Sequence, residues 1–357
     1  MSNLETKPAE QLCAAGEHGT GVELLTPRDV PLGGPRAMGV RRTIPQRGRS
    51  LVGAWCFCDH YGPDDVSRSE GMQVPPHPHI GLQTVSWLFA GEIVHRDSVG
   101  SLARVRPGEL NLMTAGVGIS HSEESPADER PPSLHGVQLW TVLPDSDRST
   151  EPHFEHHEDL PVGWADGARV QVFLGSLRLD GETLTSPART YTPLVGAQLD
   201  LPAGASVVLD VEPGFEHGLL VDSGAATFED EPVPADHLAY VAPGRARLRV
   251  TAGDTAVRAV LIGGEPFTED VIMWWNFVGR SHEEIAQARA DWMQQMTDGE
   301  GDGTVYAPGA PDRRFGAVTG YAGGPLRAPA LPDVRLKPRT RPTGRNEAVA
   351  PEPNPMS

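Results

Sequence analysis

Apolar and polar residues alternate in short runs over most of the chain, and Gly, Pro or Asp closes nearly every run. The stretches "SLVGAWCFCDHYGPDD" (50–65), "IGLQTVSWLFAGEIVHRDS" (80–98), "SLARVRPGELNLMTAGVGISHSEES" (101–125) and "LHGVQLWTVLP" (134–144) each read as one or two strands with a turn. The pattern resumes at "ARVQVFLGSL" (168–177) and continues to "TAVRAVLIGGEP" (255–266). Turns recur roughly every 8–12 residues, the spacing of a β-sandwich or barrel. The two halves also echo each other. "VSWLFAGE" (85–92) matches "GLLVDSGA" (218–225), and "RVRPGELNLMTAG" (104–116) matches "PVPADHLAYVAPG" (232–244). Two tandem copies of one barrel is the simplest architecture that explains this.

The pattern sets the boundaries. Residues 1–20 are small and polar and read as a flexible leader. The first barrel is placed at 21–145, a linker at 146–165 and the second barrel at 166–280. One helix is predicted over 281–297, with Ser281 as its cap and Glu284 in capping-box position. The remainder, 298–357, is rich in proline and lacks apolar periodicity, so a disordered tail is expected. Its basic stretch "RLKPRTRPTGR" (335–345) reads as solvated charge rather than an anion-docking site.

Composition narrows the function classes. Forty Gly and 34 Pro argue against a helical bundle. A net charge of −18 disfavours DNA and anionic membranes as partners. Three cysteines are too few for a disulfide framework, so a cytoplasmic setting is the default. No apolar run approaches the length of a membrane span. A monomer is expected, since each barrel can cover the other.

The chemistry sits in two places. In a strand, residues i and i+2 share a face, so His77 and His79 of "PPHPHIG" (75–81) aim two imidazoles into one space. Pro75, Pro76 and Pro78 stiffen that segment, and Pro78 puts it at a strand start or edge. His121 and Glu123 of "GISHSEES" (118–125) repeat the arrangement 42 residues beyond His79. Either pair alone is more often an accident of surface or core. Two such pairs on neighbouring strands would converge as three neutral imidazoles and a carboxylate. That set suits a divalent first-row metal such as Fe(II), with Mn, Ni, Cu or Zn also compatible. Other groups have plainer readings. Cys56 and Cys58 read as core packing, and His60 as a turn or surface residue. His153, His156 and His157 read as part of a solvated acidic linker, and Trp274, Trp275 and Phe277 as an apolar plug between helix and barrel. His95 with Asp97 could orient substrate or a ligand, or be a plain exposed pair. Trp87 could wall the pocket or fill the core, and Gln83 stands where cupin barrels usually carry a Glu.

"HPHIGLQTVSW", "GEIVHRDSVGS", "RPGELNLMTAGVGISHSE" and "HGVQLW", followed by "GGEPFTEDVIMWWNFVGRSHEEI", closely resemble the pirin family over about residues 21–297. The resemblance implies an all-β bicupin: two jelly-roll barrels packed face to face, with a mononuclear metal, usually iron, only in the N-terminal barrel. It places the ligands at His77, His79, His121 and Glu123. Glu123 supplies the carboxylate that Gln83 cannot. It implies quercetin 2,3-dioxygenase-like activity on a flavonol and O₂. In such a reaction Glu123 could release the metal and act as the base, and by position Gln83, Trp87 and His95 are candidates for the substrate pocket. The alternative is a metal- or redox-sensing protein that docks on an enzyme or transcription factor. The second barrel, with Asp210 and Glu212 where the first carries His77 and His79, is expected to hold no metal.

Overall fold

A computed structural model describes residues 21–32, 38–297 and 313–338. The first half contributes β1 (Glu23–Leu25), β2 (Arg28–Leu32), β3 (Met38–Ile44), β4 (Trp55–Asp65), β5 (Gln73–His79), β6 (Leu82–Ala90), β7 (Ile93–Asp97), β8 (Leu102–Val105), β9 (Leu110–Thr114), β10 (Ile119–Glu124), β11 (Ser133–Val142) and β12 (His153–His157). The second contributes β13 (Val162–Ala165), β14 (Ala168–Leu179), β15 (Glu182–Thr185), β16 (Leu194–Leu201), β17 (Ser206–Asp210), β18 (Glu216–Ser223), β19 (Ala226–Phe228), β20 (Glu231–Val233), β21 (Leu238–Val241), β22 (Arg247–Ala252) and β23 (Val257–Gly264). A small hairpin, β24 (Ile272–Trp274) and β25 (Phe277–Gly279), leads into α1 (His282–Thr297). Among the described residues, no helix is long and apolar enough to cross a membrane.

The internal repeat is visible in strand order. In the first barrel a sheet β5-β10-β7-β8 faces a sheet β12-β9-β6-β11-β4-β3-β2. The second barrel runs β17-β22-β19-β20 and β1-β21-β18-β23-β16-β14, the same order position by position. Two cupin barrels therefore follow one another, as the turn spacing predicts. The slot that β12 fills in the first barrel is filled in the second by β1, whose Glu23 lies opposite Tyr240. The first described strand, β1, thus belongs to the second barrel, and the chain crosses to the first at β2, although 21–145 reads as one continuous unit in sequence.

The barrels meet face to face across an apolar layer containing Trp55, Trp87, Phe173, Leu174 and Ile262. Trp87 stacks on Phe173 at 4.8 Å. Polar atoms within this layer are paired: Trp87 Nε1 donates to Gln198 Oε1 (2.8 Å), Trp55 Nε1 to the Gly263 carbonyl (3.1 Å) and the Gly53 amide to Glu216 Oε2 (2.7 Å). Each bond satisfies a buried donor that would otherwise be costly to strip of water.

The helix begins as its sequence predicts. Ser281 Oγ accepts from the Glu284 amide at 3.1 Å, and the Glu284 carboxylate accepts from the Arg280 amide at 2.8 Å. Two segments differ from expectation. The 146–165 linker contains β12, paired with β9, and β13, paired with β14, so 153–157 and 162–165 are strand rather than free linker. The Pro-rich tail is described over 313–338, where it lies against α1 and the first barrel rather than in solvent. Phe315 is buried between Phe277 and Trp292, the Leu326 amide donates to the Pro76 carbonyl (2.8 Å), and Trp292 Nε1 donates to the Leu326 carbonyl (2.8 Å). Such a segment is held by cross-contacts rather than by its own periodicity, so pattern reading passes over it. The rest of the tail, including 339–345 of the basic stretch, and the 1–20 leader lie outside the described residues.

Candidate metal centre

β5 and β10 are hydrogen-bonded neighbours, and His121 lies directly opposite His77. A register shift between His121 and Glu123 interrupts the pairing. On the other side of β10, β7 sets Asp97 opposite His121 and His95 opposite Glu123. Two short strands and their shared neighbour thus bring six ionisable side chains, two from each, together inside the barrel.

The ring nitrogens of His77, His79 and His121 lie within 4.8 Å of one another, and His79 Nε2 is 3.2 Å from His121 Nε2. Each ring is oriented from behind. His77 Nδ1–H donates to the Pro75 carbonyl at 2.8 Å, and His79 Nδ1–H to the Asn276 carbonyl at 3.0 Å. Behind His121 stands a relay: His95 Nε2–H donates to Asp97 Oδ2 (3.1 Å), which makes His95 Nδ1 the acceptor for His121 Nδ1–H (3.3 Å). Asp97 is itself held by the amides of Val99 and Ser101 on its other oxygen. All three imidazoles are therefore in the tautomer that presents an Nε2 lone pair inward, the arrangement metal-binding histidines require.

Electrostatics agree with that assignment. Burial, then the neighbouring His79 ring, holds His77 well below the ordinary imidazole range. Burial pushes His79 down to about 3. Burial, then the rings of His77, His79 and His95, does the same for His121. The rings are neutral near pH 7, as ligation demands. His77 Nε2 is buried and has no hydrogen-bond partner. An orphaned buried nitrogen aimed at two other lone pairs is costly alone and is satisfied by a cation. The residues present fit a divalent first-row metal.

Glu123 sits slightly apart from this triangle. Its carboxylate groups with His95 and His121 rather than with His77 and His79, and its Oε1 accepts from Ser86 Oγ at 3.0 Å. Ser86 is one functional residue that sequence reading missed, and strand alternation could have found it. Ser86 points into the barrel, so Gln83, Val85 and Trp87 on β6 face the other way. Val85 and Trp87 lie in the interbarrel layer. Gln83 is bound to Thr114 Oγ1 (3.0 Å), Thr141 Oγ1 (3.3 Å) and the Arg189 carbonyl (3.1 Å) of the second half. The walls near the histidines come instead from Trp140, edge-on to His79 at 5.1 Å and stacked on Phe57 at 4.0 Å, and from Phe154, stacked on His95 at 4.4 Å.

The "WWNF" motif does more than plug the helix to the barrel. Trp274, Trp275 and Phe277 pack with Ile80, Trp292 and Phe315. Trp275 holds a left-handed backbone (φ 53°), a costly conformation for a bulky residue. The turn it forms delivers the Asn276 carbonyl to His79. In the second barrel, β17 and β22 take the places of β5 and β10 and turn Val207, Leu209, Leu248 and Val250 into an aliphatic core. Asp210 pairs instead with Arg247 outside that core.

Comparison with known proteins agrees with this layout. The family profile described as Pirin matches residues 37–141, and that described as Pirin C-terminal cupin domain matches 196–298. A Pseudomonas aeruginosa protein provisionally named a quercetin 2,3-dioxygenase is 40% identical over 311 residues, covering 87% of this chain and 91% of its own. A pirin-like protein of Caulobacter vibrioides is 36% identical over 259 residues, covering 71% and 87%. Among solved structures, a quercetin 2,3-dioxygenase from Acinetobacter baumannii superposes with a TM-score of 0.78 at 36% identity, covering 88% of this chain and 97% of its own. The Escherichia coli pirin YhhW, solved in complex with nickel(II), shares the fold at TM-score 0.52 and 17% identity, covering 69% and 100%.

Proposed function

The chain belongs to the pirin family, and on that premise we propose that it is a metal-dependent dioxygenase acting on quercetin-like flavonols or related aromatics, with Fe(II) as the resident metal. The observation that carries the reading is the set of three inward Nε2 lone pairs on His77, His79 and His121, one of them without any partner. These three would hold the metal, with Glu123 as the anionic fourth group. When bound, the metal would supply Lewis acidity toward a substrate hydroxyl and one-electron chemistry with O₂. Glu123, steadied by Ser86, would accept the hydroxyl proton of a flavonol. Trp140, Phe57 and Phe154 offer flat apolar walls that suit an aromatic ring system. The protein would work as a monomer in the cytoplasm, consistent with free Cys56 and Cys58.

A second reading, a metal- or redox-sensing regulator that docks on a partner protein, is favoured by one observation. His77, His79, His121 and Glu123 are only 0–1% exposed. A flavonol must displace covering groups to reach them, whereas a change in metal charge needs no access. Elemental analysis of the purified protein, followed by flavonol loss with and without chelator, tests the two. Chelator-sensitive turnover supports the dioxygenase. Bound metal without turnover favours the regulator.

A further inference from the structure

A second group of metal-type ligands lies outside the first barrel's interior, at the seam between barrels. His60 on β4 and His135 on β11 meet Asp222 on β18. His60 Nε2 is 2.7 Å and His135 Nε2 2.6 Å from Asp222 Oδ1, and the two nitrogens are 3.2 Å apart. That nitrogen separation equals the one between His79 and His121. It is also close to the edge of a tetrahedron with metal–nitrogen bonds of about 2.0–2.1 Å, whereas the two nitrogen–oxygen separations are hydrogen-bond lengths that an ion would have to open to that edge. His60, which reads from sequence as a turn or surface residue, is 1% exposed.

Two further observations distinguish the triangle from a chance ion pair. First, the strands are irregular where it is built. The pairing of β11 shifts register at His135, and that of β18 with β23 shifts between Val221 and Ser223, so Asp222 is the bulged residue. Bulges re-aim side chains and recur beside functional sites. Second, the surroundings orient the groups as ligands. His60 Nδ1 faces Asp236 Oδ1 at 3.1 Å, a carboxylate behind the imidazole. Arg258 stands 3.4 Å from Asp222 Oδ2, leaving Oδ1 for the imidazoles. Arg41, 3.4 Å from His60 Nδ1, is paired with Asp236 at 3.0 Å. Each arginine thus engages a carboxylate away from the point where the two Nε2 atoms and Oδ1 converge. Phe89 packs edge-on against both rings at 6.2 and 5.0 Å.

We propose that His60, His135 and Asp222 bind a divalent first-row cation of the zinc class that ties the two barrels together. Two imidazoles and one carboxylate are a borderline donor set that suits such ions, with a fourth position for water. Because two ligands come from the first barrel and one from the second, the ion would stiffen the interbarrel contact. Hydrogen bonds alone could hold the same triangle, with both N–H groups on one oxygen, and the experiment separates the two.

Full-length protein is stripped with chelator and titrated with Zn(II) against a chromophoric competitor. Wild type is expected to take two equivalents. Asp222→Asn and His135→Gln are each expected to take one. The His77→Ala/His121→Ala variant also takes one, and adding Asp222→Asn to it abolishes binding. In the His77→Ala/His121→Ala variant, zinc should raise the melting temperature, and the added Asp222→Asn should remove that rise. Unchanged stoichiometry in Asp222→Asn and His135→Gln, whether wild type takes one equivalent or two, overturns the proposal and leaves the hydrogen-bonded triangle. Should the seam variants misfold, anomalous scattering at the zinc edge from wild-type crystals decides. A peak among the three side chains supports the site, and its absence overturns it. Failure of the first-barrel site would appear separately, as no zinc lost in His77→Ala/His121→Ala.

Discussion

Replacing Ser86 by alanine removes the hydroxyl that steadies Glu123. Ser86 Oγ lies 3.0 Å from Glu123 Oε1 and 3.0 Å from Gln138 Oε1, and all three groups are buried. One hydroxyl proton cannot serve two acceptors. Gln138 Nε2 otherwise has no acceptor, so the amide is assigned with its NH₂ toward Ser86. The result is a relay in which Gln138 donates to Ser86 and Ser86 donates to the carboxylate. A hydrogen bond to a charged group is worth about 1.5–3 kcal/mol. If that stabilisation is expressed in metal binding, Ser86→Ala weakens affinity by roughly 10- to 150-fold. The loss of a group that orients a ligand typically falls in the range of about 10- to 100-fold. The assay is competition of the stripped protein with a chromophoric chelator for Ni(II) or Fe(II), in an Asp222→Asn background so that only the barrel site reports. Circular dichroism checks the fold, and Ser86→Thr, which keeps the hydroxyl, should restore much of the affinity. Affinity unchanged within twofold in Ser86→Ala would refute the role given to this relay and to Glu123 in metal binding.

Other outcomes follow from burial. His217 in the second barrel has an Nε2 without a partner, and desolvation pushes its pKa down to about 4. The unfolded chain, at about 6.5, binds the proton first, so stability falls as pH drops from about 6.5 to about 4, on the order of 3 kcal/mol in all. Denaturant melts of wild type and His217→Gln across that window should show a shallower slope in the variant, and parallel slopes would contradict the assignment. Burial pushes the Cys58 thiol up to about 12, and Cys56 is equally buried. Iodoacetamide at pH 8 should therefore leave both unmodified until denaturant is added, read by peptide mass; native labelling of either would show the strand to be open. Phe315→Ala removes a buried ring at the centre of the tail contact, a change worth about 3–5 kcal/mol in well-packed sites. Trypsin should then cut at Arg314, Arg327 or Arg335 well before the barrels unfold, whereas an unchanged digestion rate would mean the tail is held elsewhere.

The two barrels and the grouping of the three histidines were legible because both rest on local rules. Alternation and turn spacing define strands, and i, i+2 geometry sets His77 with His79 and His121 with Glu123 on common faces. What was not legible depends on chain crossings. β1 reads as part of the first barrel, yet nothing local records that Glu23 pairs with Tyr240 over two hundred residues away. Trp87 and Gln83 share a face of β6, and only the packing of that face on the second barrel removes them from the histidines. His60, His135 and Asp222 stand on three strands and are aimed by bulges, which one sequence does not reveal. The 313–338 segment carries its information in single contacts such as Phe315 and Leu326, without a period to detect.

The central claim is that His77, His79 and His121 hold one metal through their Nε2 atoms. X-ray absorption at the iron edge of Asp222→Asn protein loaded with one equivalent of Fe(II) tests it directly. The account predicts multiple scattering from three imidazoles, reduced to two in His77→Ala. Retention of iron without imidazole scattering, or no retention at all, would contradict it.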